Sequence, residues 1–588
     1  MLQARYFADY KSFEAAEYKH LREQLQEFHI GSLALNIHFD RSGLLRYSAL
    51  ETARVANQLQ RDSKLPLLLA ADFERGVAPR LTDAPDSPWP MAFGAIGDPN
   101  EVEHLGAVTA REARAIGVQW VLAPVADVNS NPSNPAINTR SFGEDPVQVS
   151  AMVQAFIRGA HEAHEEGVLV TAKHFPGHGE SLVDSHHGVA VVGSDLAHLE
   201  KFEFPPFKAA IAAGVDSILL AHARVPALDP DADRVTTTSP KVVTGVLRGQ
   251  FGFEGVILSD ALEMQGITRL YAPQAGSPSP TARAAVDAVK AGCDVIMIPT
   301  DLDGAFHAIV EAVRSGEIPE SRIDDSVRRI LRMKTAVGLN GSRFVDERQA
   351  AALTSKPADM AFAQQVADEA VTLVRENRKL LPLWKPEPHP STGVAGTGDA
   401  EKHRLVVVLL AEKFESTSGV ALEKALRTRR PDAQVFYVNN RNADAEETTV
   451  LTAVNDADEV VVGTFVGFSA ARQVPANGRM VTSFGLRGPS GQLLVQLLAL
   501  AAEKTVVVAL GSPYLIENFP AIQNYICTYA MASTSEVSAV KALFGEMQNQ
   551  ARLPVTLPGI ASRGFSLPWP AQKRVQESQG VGNPGVER

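Results

Sequence analysis

The stretch Val168-Leu169-Val170-Thr171-Ala172-Lys173-His174-Phe175-Pro176-Gly177-His178-Gly179 sets the frame for the whole chain. A mainly apolar run with three β-branched residues leads into a charged pair, and a proline and two glycines then force a turn. A strand buried on both faces should be continuously apolar, so a lysine and a histidine at its end call for a reason. The same arrangement recurs along the first 300 residues: LPLLLAADF from Leu65 ends at Asp72, VLAPVADV from Val121 at Asp127, SILLAHA from Ser217 at His222, and GVILSDAL from Gly255 at Asp260. LQARYF from Leu2, IGSLALNI from Ile30 and DVIMIPT from Asp294 bring the candidate strands to eight. Amphipathic stretches such as KSFEAAEYKHLREQLQEF and SALETARVANQLQ separate them. Strand–helix alternation of this kind predicts an α/β fold with a parallel sheet, and eight units point to a TIM-type (β/α)8 barrel. A doubly wound open sheet has the same strand-by-strand appearance. The polar strand ends favour the barrel, because there they converge on the face where active sites form.

The chain has 588 residues, too many for one ordinary core, so at least two domains are expected. The expected division is a catalytic barrel over 1–345, a connecting helix and linker over 346–403, and a smaller three-layer α/β sandwich over 404–570. The linker assignment rests on KPEPHPSTGVAGTGDAEKH, and the second domain on a new alternation beginning at RLVVVLLA. The polar, Gly-containing residues 571–588 read as a disordered tail. The stretch 467–485, GFSAARQVPANGRMVTSFG, reads as a long loop that could reach the barrel mouth.

Apolar residues make up 45% and charged residues 21%, with a net charge of −12 and a pI near 5.7. No basic stripe is present, so no nucleic-acid partner is expected. No apolar run reaches the roughly 18 residues of a spanning helix. Met1 leads directly into a strand-like segment with no export signal, so a cytoplasmic location is expected of the sequence as it stands. Cys293 and Cys527 lie in apolar stretches and read as buried free thiols.

Four histidines between His174 and His187 raise the question of a metal. Pro176 and the glycines break any shared helical scaffold, so no metal or other cofactor is expected. Asp184 and His186 stand two apart, close enough for the carboxylate to bind one imidazole nitrogen and fix its tautomer. An imidazole that titrates near neutrality suits a group that gives and then takes a proton. A simple loop hydrogen bond is an equally good reading of that spacing. Asp260, in SDALEM, fits a carboxylate nucleophile, with a helix N-cap as the competing reading.

The string KHFPGHG, four residues, then DSH, together with VILSDALEM, resembles glycoside hydrolase family 3, and within it the β-N-acetylhexosaminidase branch. ADFERGVAPRL, APVADVNSNPSNPAINTRSFGEDP and ADEAVTLVRENRKLLPL extend the resemblance over nearly the whole chain. The resemblance implies a retaining exo-glycosidase acting on terminal β-N-acetylglucosamine in a small carbohydrate substrate. Asp260 would then be the nucleophile and His186 the acid/base, with Asp184 as its partner. Asp72, Arg80, Arg140, Lys173 and His174 would contact the sugar, and His222 is counted with them. The alternatives are a β-glucosidase or broad exo-β-glycosidase, and a phosphorylase, since a neutral imidazole repels an incoming phosphate less than a carboxylate does. A sugar-binding protein on an inactive barrel is the non-enzymatic alternative. The chain departs from the branch at Glu74-Arg75-Gly76-Val77-Ala78, where E-G-G-R-V is usual. Glu180-Ser181 stands in place of D-T, and Ala261 in place of Asp.

Overall fold

Continuous burial along Leu68–Ala71, Leu169–Phe175, Ser217–Leu220 and Val256–Ser259 is what strands covered on both faces require. In the computed structural model they belong to one parallel sheet of eight strands. The structure describes all residues except 1, 8–12, 14–15, 37–38, 41–42, 45–46, 163–166, 272–276, 385–402, 468–471, 477–478, 484, 549 and 571–588. The tail and most of the expected linker therefore lie outside the described residues.

The strands are β1 (Leu2–Phe7), β2 (Ser32–Asn36), β3 (Leu68–Ala71), β4 (Trp120–Val121), β5 (Leu169–Phe175), β6 (Ser217–Leu220), β7 (Val256–Ser259) and β8 (Ile296–Met297). Each pairs in parallel with its sequence neighbour, and β1 also pairs with β8. A bridge between Leu258 and Val295 joins β7 to the start of β8, so the sheet curls until its two ends meet. Side chains sort by parity, as a period of two demands. Leu68, Ala70, Trp120, Leu122, Leu169, Leu219, Val256, Leu258 and Met297 share the interior cluster. Leu69, Ala71, Val121, Val170, Ala172, Ile218, Leu220, Ile257 and Ile296 face the surrounding helices. Thr171 and Ser217 satisfy the interior Trp120 indole, at 2.8 and 3.0 Å.

The helices expected after the first two strands appear at Ala16–Glu27 and Ala49–Asp62, the second opened by a Ser48–Glu51 capping box. A second sheet of six strands comprises β9 (Thr372–Glu376), β10 (Leu405–Ala411), β11 (Gln434–Val438), β12 (Glu459–Val466), β13 (Thr505–Gly511) and β14 (Asn524–Cys527). Its strands are parallel apart from β9, which runs antiparallel to β14 and comes from the stretch read as a connector. Separate apolar clusters cover its two faces. Within 467–485, Arg472–Ala476 pairs antiparallel with Arg479–Ser483, so this stretch carries a two-stranded ribbon where sequence suggested only loop.

The two sheets are tied together near the strand ends. Asn129 donates to the Tyr514 hydroxyl at 2.9 Å, and Asp86 accepts from the Ser533 nitrogen and hydroxyl at 2.7 and 2.9 Å. Glu144 accepts from the Thr556 nitrogen and hydroxyl at 2.7 and 2.6 Å. Among the described residues no helix is long and apolar enough to cross a membrane, and both cysteines are buried and unpaired.

Candidate active site

Parity carries the chemistry into the cavity. Asp72 continues the inward row of Leu68 and Ala70, Lys173 follows Leu169 and Thr171, and Asp260 follows Val256 and Leu258. All three line one cavity of about 690 Å³ at the carboxyl ends of the strands, together with Glu74, Arg80, Arg140, His174 and His186.

The floor is an ion network. The Lys173 ammonium lies 2.7 Å from both Asp72 Oδ1 and Glu74 Oε1. Arg140, from the short turn Asn138–Arg140, grips Glu74 with two bonds of 2.8 and 2.7 Å. Arg80 Nη2 lies 3.8 Å from Asp72 Oδ2. Burial alone would raise the Asp72 carboxyl, but Lys173 and Arg80 outweigh it and hold Asp72 below its ordinary range. Glu74 is held further down, where Arg140 and Lys173 overcome a similar burial penalty. Burial would lower the Lys173 ammonium, yet Asp72 and Glu74 raise it above its usual value. Asp72, Glu74 and Lys173 are thus held in their charged forms by one another and by the neighbouring arginines.

Beside the floor, His174 Nδ1 sits 2.7 Å from Asp127 Oδ2. Asp127 also accepts from the main-chain nitrogens of His174 and His178, the latter at 2.8 Å. One buried carboxylate therefore sets both the tautomer of His174 and the path of the following loop.

His186 and Asp260 also line the cavity. Asp184 Oδ1 accepts from His186 Nδ1 at 2.7 Å and from the His186 main-chain nitrogen at 2.9 Å. That bond raises the His186 imidazole above its ordinary value, with Asp184 and Asp260 adding charge attraction. Burial would raise the Asp184 carboxyl, but the His186 bond and charge bring it down to about 2. Asp260 is lowered as well: burial opposes ionisation, while His222, His174 and His186 favour it. An ionised carboxylate and a readily protonated imidazole thus share one cavity, the combination a glycosidic bond needs on its two sides.

Of the residues singled out from sequence, Asp72, Arg80, Arg140, Lys173, His174, His186 and Asp260 line the cavity, and Asp184 stands behind His186. His222 is the exception. It follows Ile218 and Leu220 in the outward row, is fully buried, and spends its ring nitrogens on Thr237 Oγ1 at 2.8 Å and the Ala261 carbonyl at 3.1 Å. His222, expected to contact the sugar, therefore does not line the cavity and instead meets the Ala261 carbonyl next to Asp260. The helix-cap reading of Asp260 also falls: the next helix is Gln265–Thr268, with Met264 before it, and the carboxylate accepts only locally from the Ala261 nitrogen at 2.8 Å. Glu74 was missed as a site residue. Its signal was parity, since it is the next inward position after Asp72. The second sheet's contribution to the lining, Glu415, Thr417, Ser418, Met531 and Ser533, had no signal in the sequence.

Residues 7–333 match the glycosyl hydrolase family 3 N-terminal domain. The chain belongs to this family. Individual relatives sharpen the comparison. The family 3 chain is 31% identical over 365 residues to a β-N-acetylglucosaminidase/β-glucosidase of Cellulomonas fimi, a match covering 61% of this chain and 63% of that protein, under two thirds of its length. It is 26% identical over 543 residues to β-hexosaminidase A of Pseudoalteromonas piscicida, covering 85% of this chain and 84% of the relative. A solved family 3 β-N-acetylglucosaminidase from a Paenibacillus species superposes with a TM-score of 0.75 at 26% identity, over 95% of this chain and 97% of the other.

Proposed function

We propose that this family 3 enzyme is a retaining exo-glycosidase that releases terminal β-linked N-acetylglucosamine from small carbohydrates through a covalent glycosyl-enzyme. One observation carries the mechanism: Asp260 and His186 face the same cavity, with the carboxylate favoured in its charged form and the imidazole backed by Asp184 at 2.7 Å. In the first step an Asp260 oxygen attacks the anomeric carbon. The bond to the leaving oxygen breaks, and His186 Nε2 supplies its proton, because Nδ1 is engaged by Asp184. In the second step the neutral imidazole takes a proton from water, which displaces Asp260 and regenerates the β configuration. Asp72, Lys173, Arg140 and His174 grip the ring hydroxyls from the floor, with Arg80 beyond Asp72. No step calls for a metal or an organic cofactor.

The names of the relatives support N-acetylglucosamine as the sugar. We read residues 1–345 as a (β/α)8 TIM-type barrel and 404–570 as an α/β sandwich that takes one strand, Thr372–Glu376, from the connecting stretch 346–403 and adds residues to the cavity wall. A second reading, with β-glucosides also accepted, is favoured by the double name of the Cellulomonas fimi relative. Phosphate as acceptor is a further variant, favoured by the neutral base.

Hydrolysis of nitrophenyl β-N-acetylglucosaminide against nitrophenyl β-glucoside tests the sugar, and a preference for the glucoside overturns it. Proton NMR of the first-formed product tests retention, and an initial α anomer overturns it. Sugar-1-phosphate produced in phosphate buffer reports the acceptor.

A further inference from the structure

The loop that carries Asp184 and His186 has an exposed tip. Leu182 is 50% exposed and the His186 side chain 59%. Between the two dyad residues, however, Ser185 is only 4% exposed, and its polar atoms lead in two directions. Its carbonyl accepts from the Gly266 nitrogen at 2.8 Å, and Gly266 lies in the helix Gln265–Thr268 that follows Asp260. A side chain at Gly266 would meet this contact, with an added Cβ 2.7 Å from the Ser185 oxygen. The Ser185 hydroxyl lies 3.3 Å from Nε2 of the buried His178. His178 is fixed in turn through its main chain: its nitrogen donates to Asp127 at 2.8 Å, and its carbonyl accepts from Asn134 at 2.7 Å. The dyad loop is thus joined to the nucleophile's segment on one side and to the sugar-binding strand end on the other, and both joints are at Ser185.

We propose that Ser185 and His178 are positioning residues for the acid/base, fixing the height and orientation of His186 relative to Asp260 without touching the sugar. This rests on the reading of His186 as acid/base. Ser185 is the buried point between the two dyad residues, so it sets the reach of the imidazole. A shift of about 1 Å in a proton donor costs far more in the transition state than in binding. Burial lowers the His178 imidazole below its ordinary value, which keeps the ring neutral and able to share one hydrogen with the hydroxyl.

The test uses the full-length enzyme and two β-N-acetylglucosaminides, one with a dinitrophenyl leaving group that departs without a proton and one with a methylumbelliferyl group that needs one. Ser185→Ala keeps the carbonyl joint and removes the hydroxyl joint. The expected result is about a ten-fold fall in kcat/KM on the methylumbelliferyl substrate, with the dinitrophenyl substrate within about two-fold and KM little changed. Ser185→Thr, which restores the hydroxyl, should recover most of the loss. His178→Gln is measured in parallel and should follow Ser185→Ala, so the test survives if one variant fails to fold. Equal losses on both substrates, or no loss on either, would overturn the proposal. His186→Ala separates the two ideas. If it shows no dependence on the leaving group, the acid/base reading fails and the proposal with it; if it shows that dependence and the Ser185 and His178 variants do not, only the positioning role fails.

Discussion

Replacing Asp184 by Asn is the perturbation whose effect follows most directly from the geometry. Asparagine keeps the shape of the side chain, and its carbonyl can still accept from His186 Nδ1 at the present 2.7 Å. What it removes is the charge. A hydrogen bond to an ionised group is worth about 1.5–3 kcal/mol against about 1 for a neutral one. The Asp184 side chain is 23% exposed but its partner is 59% exposed, so solvent screening puts the loss at the lower end of that difference, about 0.5–1 kcal/mol. If that stabilisation is used in the transition state, where the dyad controls the proton, kcat/KM falls roughly 2- to 5-fold. The pH profile gives a second readout. Asp184 raises the His186 imidazole, and the first step needs it protonated. The alkaline limb of kcat/KM therefore follows His186 and should move to lower pH in Asp184→Asn. Asp184 itself titrates at about 2, too low to shape the acid limb of the native enzyme. The assay is kcat/KM on a methylumbelliferyl β-N-acetylglucosaminide over roughly pH 4 to 9. An unmoved or upward-moved alkaline limb, or full activity in the variant, would refute the reasoning.

Two further outcomes are expected. Glu74→Gln leaves Arg140 and Lys173 without their shared buried anion, a change worth about 3 kcal/mol, so kcat/KM should drop roughly 100-fold. Because the folded Glu74 carboxyl is depressed, its contribution is present above the unfolded value and lost as pH falls through the folded one. The variant should thus show a shallower acid denaturation, and native-like acid unfolding would count against the network. Glu112, buried near Asp359, is raised to about 9 by burial and then by that neighbour. The unfolded chain gives up this proton near 4.5, so stability should fall as pH rises from there toward 9. Glu112→Gln mimics the protonated form and should gain on the order of 2 kcal/mol near pH 8, measured by urea unfolding. A variant no more stable than the parent at that pH would show the group to be better solvated than its burial implies.

Strands such as Leu68–Ala71, Leu169–Phe175, Ser217–Leu220 and Val256–Ser259 were legible because each is a short run buried on both sides, and their polar ends pointed to the cavity. Parity within those runs was also legible. Counting in twos from Val256 delivers Asp260 to the cavity, and counting from Leu68 delivers Asp72 and then Glu74. The same count from Ser217 sends His222 outward, to hold the Ala261 carbonyl. Residues that reach the cavity from distant loops left no such trace. Thr417 and Ser418 arrive there through the packing of the second sheet on the first, which no local pattern encodes. TLVRE at Thr372–Glu376 lay inside a stretch read as connector, yet it pairs antiparallel with Asn524–Cys527. Its five residues were too few to stand out beside the helix that precedes them.

The central claim is that Asp260 forms the bond to sugar. Incubation with a 5-fluoro β-N-acetylglucosaminyl fluoride, followed by proteolysis and mass spectrometry, tests it directly. A single added sugar on the peptide containing Asp260, released on addition of an acceptor, is the result the mechanism predicts. A label on any other residue, or Asp260→Ala with near-normal turnover, would contradict it.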